Sequence, residues 1–193
     1  MSHIDRLLRV AREAGAFVGQ PAGEVEVSGK VFRKATIAVT DNRHAVELLN
    51  ALAESDAEED PKIAELGRMF KQDAYRKGES TEALARRILA FVQQTVTFAP
   101  EEGEKFRTSS LTLSMGVGDC DDSSRALAAI SIAAGIPARV VLVQNSRGED
   151  THVAAQQWVD SQWRWAETTF PALWGESPTD AAKRLGLMRE DVV

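Results

Sequence analysis

The only cysteine of the 193-residue chain lies in the segment Gly118-Asp-Cys-Asp-Asp, and its position suits a nucleophile. Asp119 is a favourable N-cap, and the alanine- and leucine-rich segment 125–134 is typical of a helix interior, so Cys120 is predicted at a helix start. The unpaired N–H groups and the dipole at a helix N-terminus favour a thiolate over a thiol. Because the thiolate is the reactive form in acyl transfer, the first chemistry to consider is nucleophilic catalysis.

Two observations oppose this interpretation. A single cysteine is more often a small buried apolar residue than a nucleophile. Asp119, Asp121 and Asp122 surround Cys120, and their negative charge opposes the ionisation of a thiol. The position of Cys120 is therefore not sufficient, and partner groups have to be found elsewhere in the chain.

His152 is the one of the three histidines whose sequence context suits a general base. Segments 152–159 and 163–169 are predicted to be strands joined by the two-residue turn Asp160-Ser161. In that hairpin, Glu167 lies one diagonal step from His152 on the same face. A carboxylate that accepts from one imidazole nitrogen fixes the tautomer and leaves the other nitrogen to act on a thiol. The alternative is an ordinary His–Glu neighbour pair on a surface hairpin.

Together, Cys120, His152 and Glu167 form the Cys–His–acid set of papain-type acyl transfer. In that chemistry the thiolate attacks a carboxamide carbon, and the imidazolium protonates the leaving amine. The oxyanion would need the backbone N–H of the cysteine and a second donor from the upstream loop, for which Ser114 and Thr112 are candidates.

Four motifs extend this pattern. They are Gly118-Asp-Cys-Asp-Asp, Gly135-Ile-Pro-Ala-Arg-Val-Val, His152-Val and Trp165-Ala-Glu-Thr-Thr. Their order and spacing resemble the transglutaminase-like superfamily, particularly its compact bacterial and prophage-encoded members. The resemblance covers about residues 80–170. It implies that Cys120 is the nucleophile, that His152 is the base, and that Glu167 occupies the place of the family's usual aspartate.

The resemblance also implies an α+β fold of the papain-like kind, in which the cysteine-bearing helix packs on an antiparallel sheet that carries the other two residues. We predict a helical and hairpin extension over residues 1–79, packed on a transglutaminase-like core over residues 80–193. The hairpin is predicted to turn at Ser28-Gly29. The acidic run 54–60 is predicted to be a solvated loop, and residues 101–113 a long loop that leads towards the cysteine.

Composition limits the classes of partner. The net charge of −6 argues against a nucleic acid, and no apolar run is long enough to span a membrane. The N-terminus lacks the features of a signal peptide, and one cysteine excludes an internal disulfide, so we expect a cytoplasmic protein. The sequence does not indicate the oligomeric state.

Cofactor motifs are incomplete. A dinucleotide fingerprint would need glycine at position 121, and a calcium loop would need glycine at 124 and glutamate at 130. One cysteine and one suitable histidine are too few for a zinc site. We therefore expect no cofactor and no metal, although a looser cation site at Asp119, Asp121 or Asp122 stays open. The tryptophans are interpreted as core or cleft-wall residues, and Trp165 is the candidate for substrate contact.

The sequence thus predicts a cysteine enzyme that acts on amide bonds of proteins or peptides, by hydrolysis or by acyl transfer. Hydrolysis is favoured slightly because water is always available. The alternative is a catalytically silent transglutaminase-like domain that binds other proteins, for example within a prophage-encoded assembly.

Overall fold

The computed structural model describes residues 9–11, 13, 17–27, 30–38, 41–100, 106–144 and 150–187. Strands and helices alternate irregularly along the chain, as expected for an α+β fold. In chain order the elements are β1 (Phe17–Val27), β2 (Lys30–Ala38), α1 (Asn42–Glu59), α2 (Pro61–Lys77), α3 (Thr81–Thr95), β3 (Thr97–Phe98), α4 (Ser109–Met115), β4 (Val117–Gly118), α5 (Cys120–Ala133), β5 (Ala138–Gln144), β6 (Asp150–Val159), β7 (Gln162–Ala166) and α6 (Pro178–Leu185).

Helix α5 begins at Cys120 and lies at the centre of the molecule. The side chain of Asp119 accepts from the backbone N–H of Asp122 and so caps the helix, as predicted. All residues from Asp121 to Ser131 are buried, and α5 packs against α1, α2, α3, α4 and the strands β5 and β6. A helix that is enclosed on all sides needs small apolar residues, which explains its alanine-rich sequence.

The strands β5, β6 and β7 form an antiparallel sheet in that order. Strands β6 and β7 are joined by the predicted two-residue turn, in which Asp160 and Ser161 have φ values of 51° and 59°. This left-handed geometry is typical of a tight hairpin. Trp158 is paired with Trp163, so the predicted register is confirmed, although β7 ends at Ala166. The predicted α+β fold, with the cysteine helix packed on an antiparallel sheet, is also confirmed.

Most of the acidic run 54–60, which was predicted to be a solvated loop, lies in helix α1. Asp41 caps this helix, which continues through residues 54–59, so the predicted solvated loop is wrong. Asp56 is buried and binds the equally buried Arg125 of α5, with an N–O distance of 2.8 Å. Asp60 is buried as well, and it caps α2 by accepting from the N–H of Lys62. Carboxylates with such partners can face the interior.

Helix α4 likewise replaces part of the predicted long loop. It begins after Thr108, whose side chain accepts from the N–H of Leu111. Ser109 donates to Asp56 from its N–H and its hydroxyl, at 3.0 and 2.7 Å, and the Ser110 hydroxyl donates to Asp60 at 2.6 Å. These bonds attach α4 to the buried acidic end of α1. Residues 101–105 lie outside the described residues.

The N-terminal part of the chain joins the same core. Strands β1 and β2 pair antiparallel, with Val27 opposite Lys30, and are longer than the predicted hairpin. Their turn lies outside the described residues. Leu49 of α1 and Ile63 of α2 belong to the apolar cluster that includes α3, α5 and the sheet. The division at residue 80 stays a prediction. Among the helices of the described residues, none has the length and apolar character needed to cross a membrane.

Candidate active site

The backbone before Cys120 is held by a short parallel pairing between β3 and β4. The N–H of Thr97 donates to Gly116 at 2.9 Å, and the N–H of Ala99 donates to Gly118 at 3.0 Å. A Cβ at Gly118 would lie 2.9 Å from the Cβ of Asp122, which is closer than carbon atoms approach. Only glycine therefore fits at Gly118, where the chain passes close to the first turn of α5.

His152 and Glu167 form a buried hydrogen-bonded pair. The distance between Nε2 of His152 and Oε2 of Glu167 is 2.7 Å, and the side chains are 6% and 0% exposed. The other oxygen of Glu167 accepts from the N–H of Thr169 at 2.6 Å, so both carboxylate oxygens have partners. With Nε2 used by Glu167, Nδ1 is the nitrogen left for a second partner.

The half-buried Cys120 lies beside His152, close enough for the thiol to interact with the imidazole. Burial lowers the pKa of His152, but the interactions with Cys120 and Glu167 outweigh it and raise this pKa to about 9. His152 is therefore an imidazolium at neutral pH, which favours a thiolate beside it.

Two adjacent serines fix the cysteine helix to the strands that carry the other two residues. The Ser123 hydroxyl lies 2.8 Å from that of Thr168, next to Glu167. The Ser124 hydroxyl donates to the carbonyl of Val153, next to His152, at 3.3 Å. The sequence analysis did not identify these two serines. Serines in the first turns of a buried helix nevertheless indicate polar contacts there, because buried hydroxyls need hydrogen-bond partners.

A third side chain supports the site from α3. The amide of Gln93 donates to the backbone carbonyl of Glu167 at 2.9 Å. It also reaches the carbonyls of Phe170 and Ala172, at 3.4 and 3.2 Å. Gln93 thus fixes the irregular segment that follows β7, and this contact could not be inferred from the sequence.

The aspartates around Cys120 are more buried than their sequence context suggests. Asp122 accepts from the N–H of Arg107 at 2.9 Å and is also bound by its guanidinium. Burial raises the pKa of Asp122 to about 6, although the bonds to Arg107 oppose this shift. Burial also raises the pKa of Asp121 to about 10, and its hydrogen bond to Asp119 and the negative charge of Asp119 act in the same direction.

The two candidate donors to the oxyanion, Thr112 and Ser114, have different surroundings. Thr112 is buried in α4, with its methyl group near Gly118, and its hydroxyl has no hydrogen-bond partner among the described residues. The Ser114 hydroxyl donates to the carbonyl of Leu111 at 2.9 Å within its own helix. The structure therefore brings Cys120, His152 and Glu167 together, whereas the described contacts of the Thr112 and Ser114 side chains lie in or beside α4.

Trp165 is half-buried and lines a cavity of about 490 Å³. The cavity wall also contains Val143, which is paired with His152 across β5 and β6. Trp165 itself lies two residues before Glu167. Neither Cys120 nor His152 nor Glu167 lines this cavity, so a contact between Trp165 and a substrate stays a prediction. The other lining residues are Arg43, Leu142, Gln144, Ser177, Pro178 and Thr179.

Comparison with protein families gives one match. Residues 68–168, which contain Cys120, His152 and Glu167, match the family described as the transglutaminase-like superfamily. This range is slightly more than half of the 193 residues. No curated protein sequence matches the chain significantly.

The solved structures that match the chain are distant from it in sequence. A protein from Cytophaga hutchinsonii, provisionally named a cysteine protease, is 18% identical over 60% of this chain and 45% of its own, with a TM-score of 0.43. A provisionally named protease from Parabacteroides distasonis is 16% identical over 80% of this chain and 36% of its own, with a TM-score of 0.48. A protein named as a TGase is 14% identical over 95% and 53%, with a TM-score of 0.44. The chain spans about half or less of the length of these proteins.

Proposed function

The chain belongs to the transglutaminase-like superfamily, and we propose that it is a cysteine enzyme acting on amide bonds of proteins or peptides. The observation that carries the proposal is the convergence of a thiol, an imidazole and a carboxylate. Cys120 lies beside His152, and His152 is hydrogen-bonded to Glu167 at 2.7 Å. This is the arrangement that activates a cysteine nucleophile, with a base beside it and a third group that orients the base.

In the proposed reaction, the thiolate of Cys120 attacks the carbonyl carbon of the amide. The C–S bond forms while the π electrons of the carbonyl move onto its oxygen. The backbone N–H of Cys120, at the start of α5, is the proposed donor to that oxyanion, and the second donor stays a prediction. The imidazolium of His152 then gives its proton to the leaving nitrogen as the C–N bond breaks, which leaves a thioester on the enzyme.

Water or an amine completes the reaction. His152, now neutral, takes a proton from the attacking molecule, and the collapse of the second tetrahedral intermediate releases the thiolate. Water gives hydrolysis, and an amine gives acyl transfer. We propose hydrolysis as the main outcome, because water is present in any open cleft, whereas an amine has to be bound. Glu167 holds the His152 ring in place throughout.

The proposed substrate is a protein or peptide, and the cavity beside Trp165 is the proposed place for part of it. A free thiol nucleophile is best kept reduced, so the proposed compartment is the cytoplasm. Neither a nucleic acid nor a membrane is part of the proposal.

The test is incubation of the full chain with a peptide library made from a bacterial proteome, with and without dansylcadaverine. New peptide termini seen by mass spectrometry would indicate backbone hydrolysis. Conversion of glutamine or asparagine to the acid would indicate side-chain hydrolysis, and dansyl incorporation would indicate acyl transfer. Each product should be lost in Cys120→Ala, while Glu82→Gln should retain it, because this change affects only an exposed ion pair with Arg86.

One observation favours the second candidate function, a silent domain that binds proteins. Asp122 is buried near Cys120, and its carboxylate, whose pKa is raised only to about 6, would oppose a thiolate at neutral pH. This candidate would be supported if no product forms and Cys120 reacts with small electrophiles no faster than free cysteine.

A further inference from the structure

Strand β5 forms one edge of the sheet β5–β6–β7, and helix α1 covers part of this edge. At Val140 the side-chain amide of Asn50 from α1 donates to the backbone carbonyl and accepts from the backbone N–H, at 2.9 and 2.8 Å. The amide thus makes the two hydrogen bonds that a residue of a neighbouring antiparallel strand would make. The N–H and C=O of Val140 therefore face away from β6, towards α1.

Two residues further on, the same edge is open. Main-chain groups of alternate residues face the same side of a strand, and the pairing of β5 with β6 is regular from Val140 to Leu142. The N–H and C=O of Leu142 therefore also face away from β6, and neither has a hydrogen-bond partner among the described residues. Unpaired main-chain groups on a sheet edge are a template for pairing with another chain.

The cavity of about 490 Å³ lies at this open edge, and Leu142 is one of its lining residues. Its volume is typical of ligand sites. Arg43 is the one charged side chain in its wall, which also contains Trp165. Within the described part of the chain, neither the guanidinium of Arg43 nor the indole N–H of Trp165 has a hydrogen-bond or ion-pair partner. Two donors without acceptors thus belong to the wall, and the charge of one of them suits a carboxylate.

The position of Arg43 in α1 also conflicts with the local electrostatics. Arg43 is the second residue of this helix, where the helix dipole favours an anion and disfavours a cation. The cap Asp41 accepts from the N–H of His44 and forms no ion pair with Arg43. A residue that breaks a local preference without compensation is expected at a functional site. A bound carboxylate would compensate both the arginine and the helix N-terminus.

We propose that this edge of β5 binds an extended peptide segment that carries a carboxylate. The main chain of the peptide would pair with the N–H and C=O of Leu142, as Asn50 does at Val140. Its carboxylate would bind Arg43, and a neighbouring side chain would contact Trp165. In this mode of recognition the main-chain hydrogen bonds supply affinity, and the pockets for side chains supply specificity.

The position of the edge connects the proposed peptide to the Cys–His–Glu site. Val143, which follows Leu142, is paired with His152 of β6. A strand added to β5 would lie two strand spacings, roughly 10 Å, from β6. Binding of the peptide does not depend on catalysis. Its use in presenting a substrate to Cys120 rests on the proposed function.

The experiment measures by mass spectrometry which synthetic octapeptides are retained on the immobilised full chain carrying Cys120→Ala, which cannot turn them over. Three degenerate libraries have glutamate, glutamine or lysine fixed at a central position and an amidated C-terminus. The glutamate library should be retained at least about threefold better than the glutamine library, and the lysine library least. A fourth library, with central glutamine and a free C-terminus, tests a main-chain carboxylate as the group that Arg43 binds.

Variants separate the two parts of the proposed site. Arg43→Gln should abolish the preference for a carboxylate. The matched control Arg76→Gln makes the same charge change on α2, away from the cavity, and should keep it. Leu142→Pro removes the outward N–H but no hydrogen bond to β6, and it should lower the retention of all libraries about fivefold. Leu142→Ala keeps the N–H and should retain more peptide than Leu142→Pro.

Amide exchange measured by NMR tests the edge without a substitution. In the free protein the N–H of Leu142 should exchange faster than that of Val143, which faces β6, and the best-retained peptide should slow it at least about tenfold. Equal rates for Leu142 and Val143 in the free protein, or no slowing with the peptide, would overturn the proposed pairing. Equal retention of the glutamate and lysine libraries, or an unchanged preference in Arg43→Gln, would overturn the proposed carboxylate site. Peptides that bind in this way but are not processed by the wild type would contradict the proposed function alone.

Discussion

The hydroxyl oxygens of Ser123 and Thr168 lie 2.8 Å apart, and they join the first turn of the cysteine helix to the residue that follows Glu167. Both side chains are buried. The neighbouring bond from Ser124 to Val153 joins the same helix to the residue that follows His152. These two contacts therefore hold the cysteine helix against the segments that carry His152 and Glu167. Neither contact involves the side chain of Cys120, His152 or Glu167.

Removing the hydroxyl of Thr168 should disturb the site more than the fold. Thr168→Val removes this bond, but the Ser123 hydroxyl still donates to the carbonyl of Asp119 at 2.7 Å, so the loss should be about 0.5–1.5 kcal/mol of unfolding free energy. It should also slow alkylation of Cys120 about tenfold, because small displacements of a reacting group are costly. Urea unfolding and the rate of alkylation measure the two effects. Thr168→Ser keeps the hydroxyl and should stay near wild type in rate; an equal loss in both variants would contradict this role of the bond.

The ionisation of His152 should depend on Glu167. NMR titration of the chain with labelled histidine should find the pKa of His152 well above its ordinary value of 6.5, near 9. Glu167→Gln removes the negative charge and should lower this pKa, whereas Glu167→Asp, if it still reaches the ring, should lower it less. A His152 pKa of 6.5 or lower in the wild type would show that Glu167 does not stabilise the protonated imidazole.

The same shift makes the stability pH-dependent in a defined direction. The folded protein binds the His152 proton more tightly than the unfolded chain does. The contribution of His152 to stability is therefore complete below about pH 6.5 and is lost as the pH rises through about 9. The difference in unfolding free energy between wild type and His152→Ala should shrink over that interval. A difference that grows with pH would contradict a raised pKa of His152 in the folded protein.

The buried ion pair between Asp56 and Arg125 should be essential to the fold. Both side chains are 1% exposed, and Asp56→Asn leaves the Arg125 charge uncompensated inside the protein. We expect a loss of about 3–5 kcal/mol in chemical unfolding. The matched control is Glu82→Gln, which breaks an exposed ion pair with Arg86 and should cost less than about 1 kcal/mol. Similar losses in the two variants would contradict the prediction that the buried Asp56–Arg125 pair is essential to the fold.

Gly67 should be required where α2 crosses α5. A Cβ at this position would overlap the Cβ of Ala133 and lie 2.6 Å from its carbonyl carbon. Gly67→Ala should therefore lower the unfolding free energy by about 1–3 kcal/mol, although alanine favours helices. Adding Ala133→Gly should restore part of the loss, because it removes the overlapping methyl group. A Gly67→Ala variant as stable as the wild type would show that the two helices can separate at no cost.

The pairing of His152 with Glu167 could be predicted from the sequence because one short turn determines it. Asp160-Ser161 sets the register of β6 and β7, and alternation along the strands then puts His152 and Glu167 on one face. The start of α5 was equally predictable, since Asp119 is a strong local cap and Gly135 ends the segment with a φ of 90°.

The buried polar contacts could not be predicted, because their partners are distant in sequence. Asp56 belongs to an acidic run that resembles a solvated surface, yet it binds Arg125, 69 residues away. Ser109 and Ser110 made α4 resemble a loop, although both hydroxyls are used to anchor it. Local composition shows which residues are polar and does not show which of them meet in the interior.

The most direct test of the account is the rate at which iodoacetamide alkylates Cys120 at pH 7, followed by intact mass. A thiolate held beside the imidazolium of His152 should react at least about tenfold faster than free cysteine, because the thiolate is the reacting form. His152→Ala should remove this advantage, and Glu167→Gln should reduce it. A Cys120 that reacts no faster than free cysteine, with His152→Ala making no difference, would contradict the central claim that these residues form a working nucleophile.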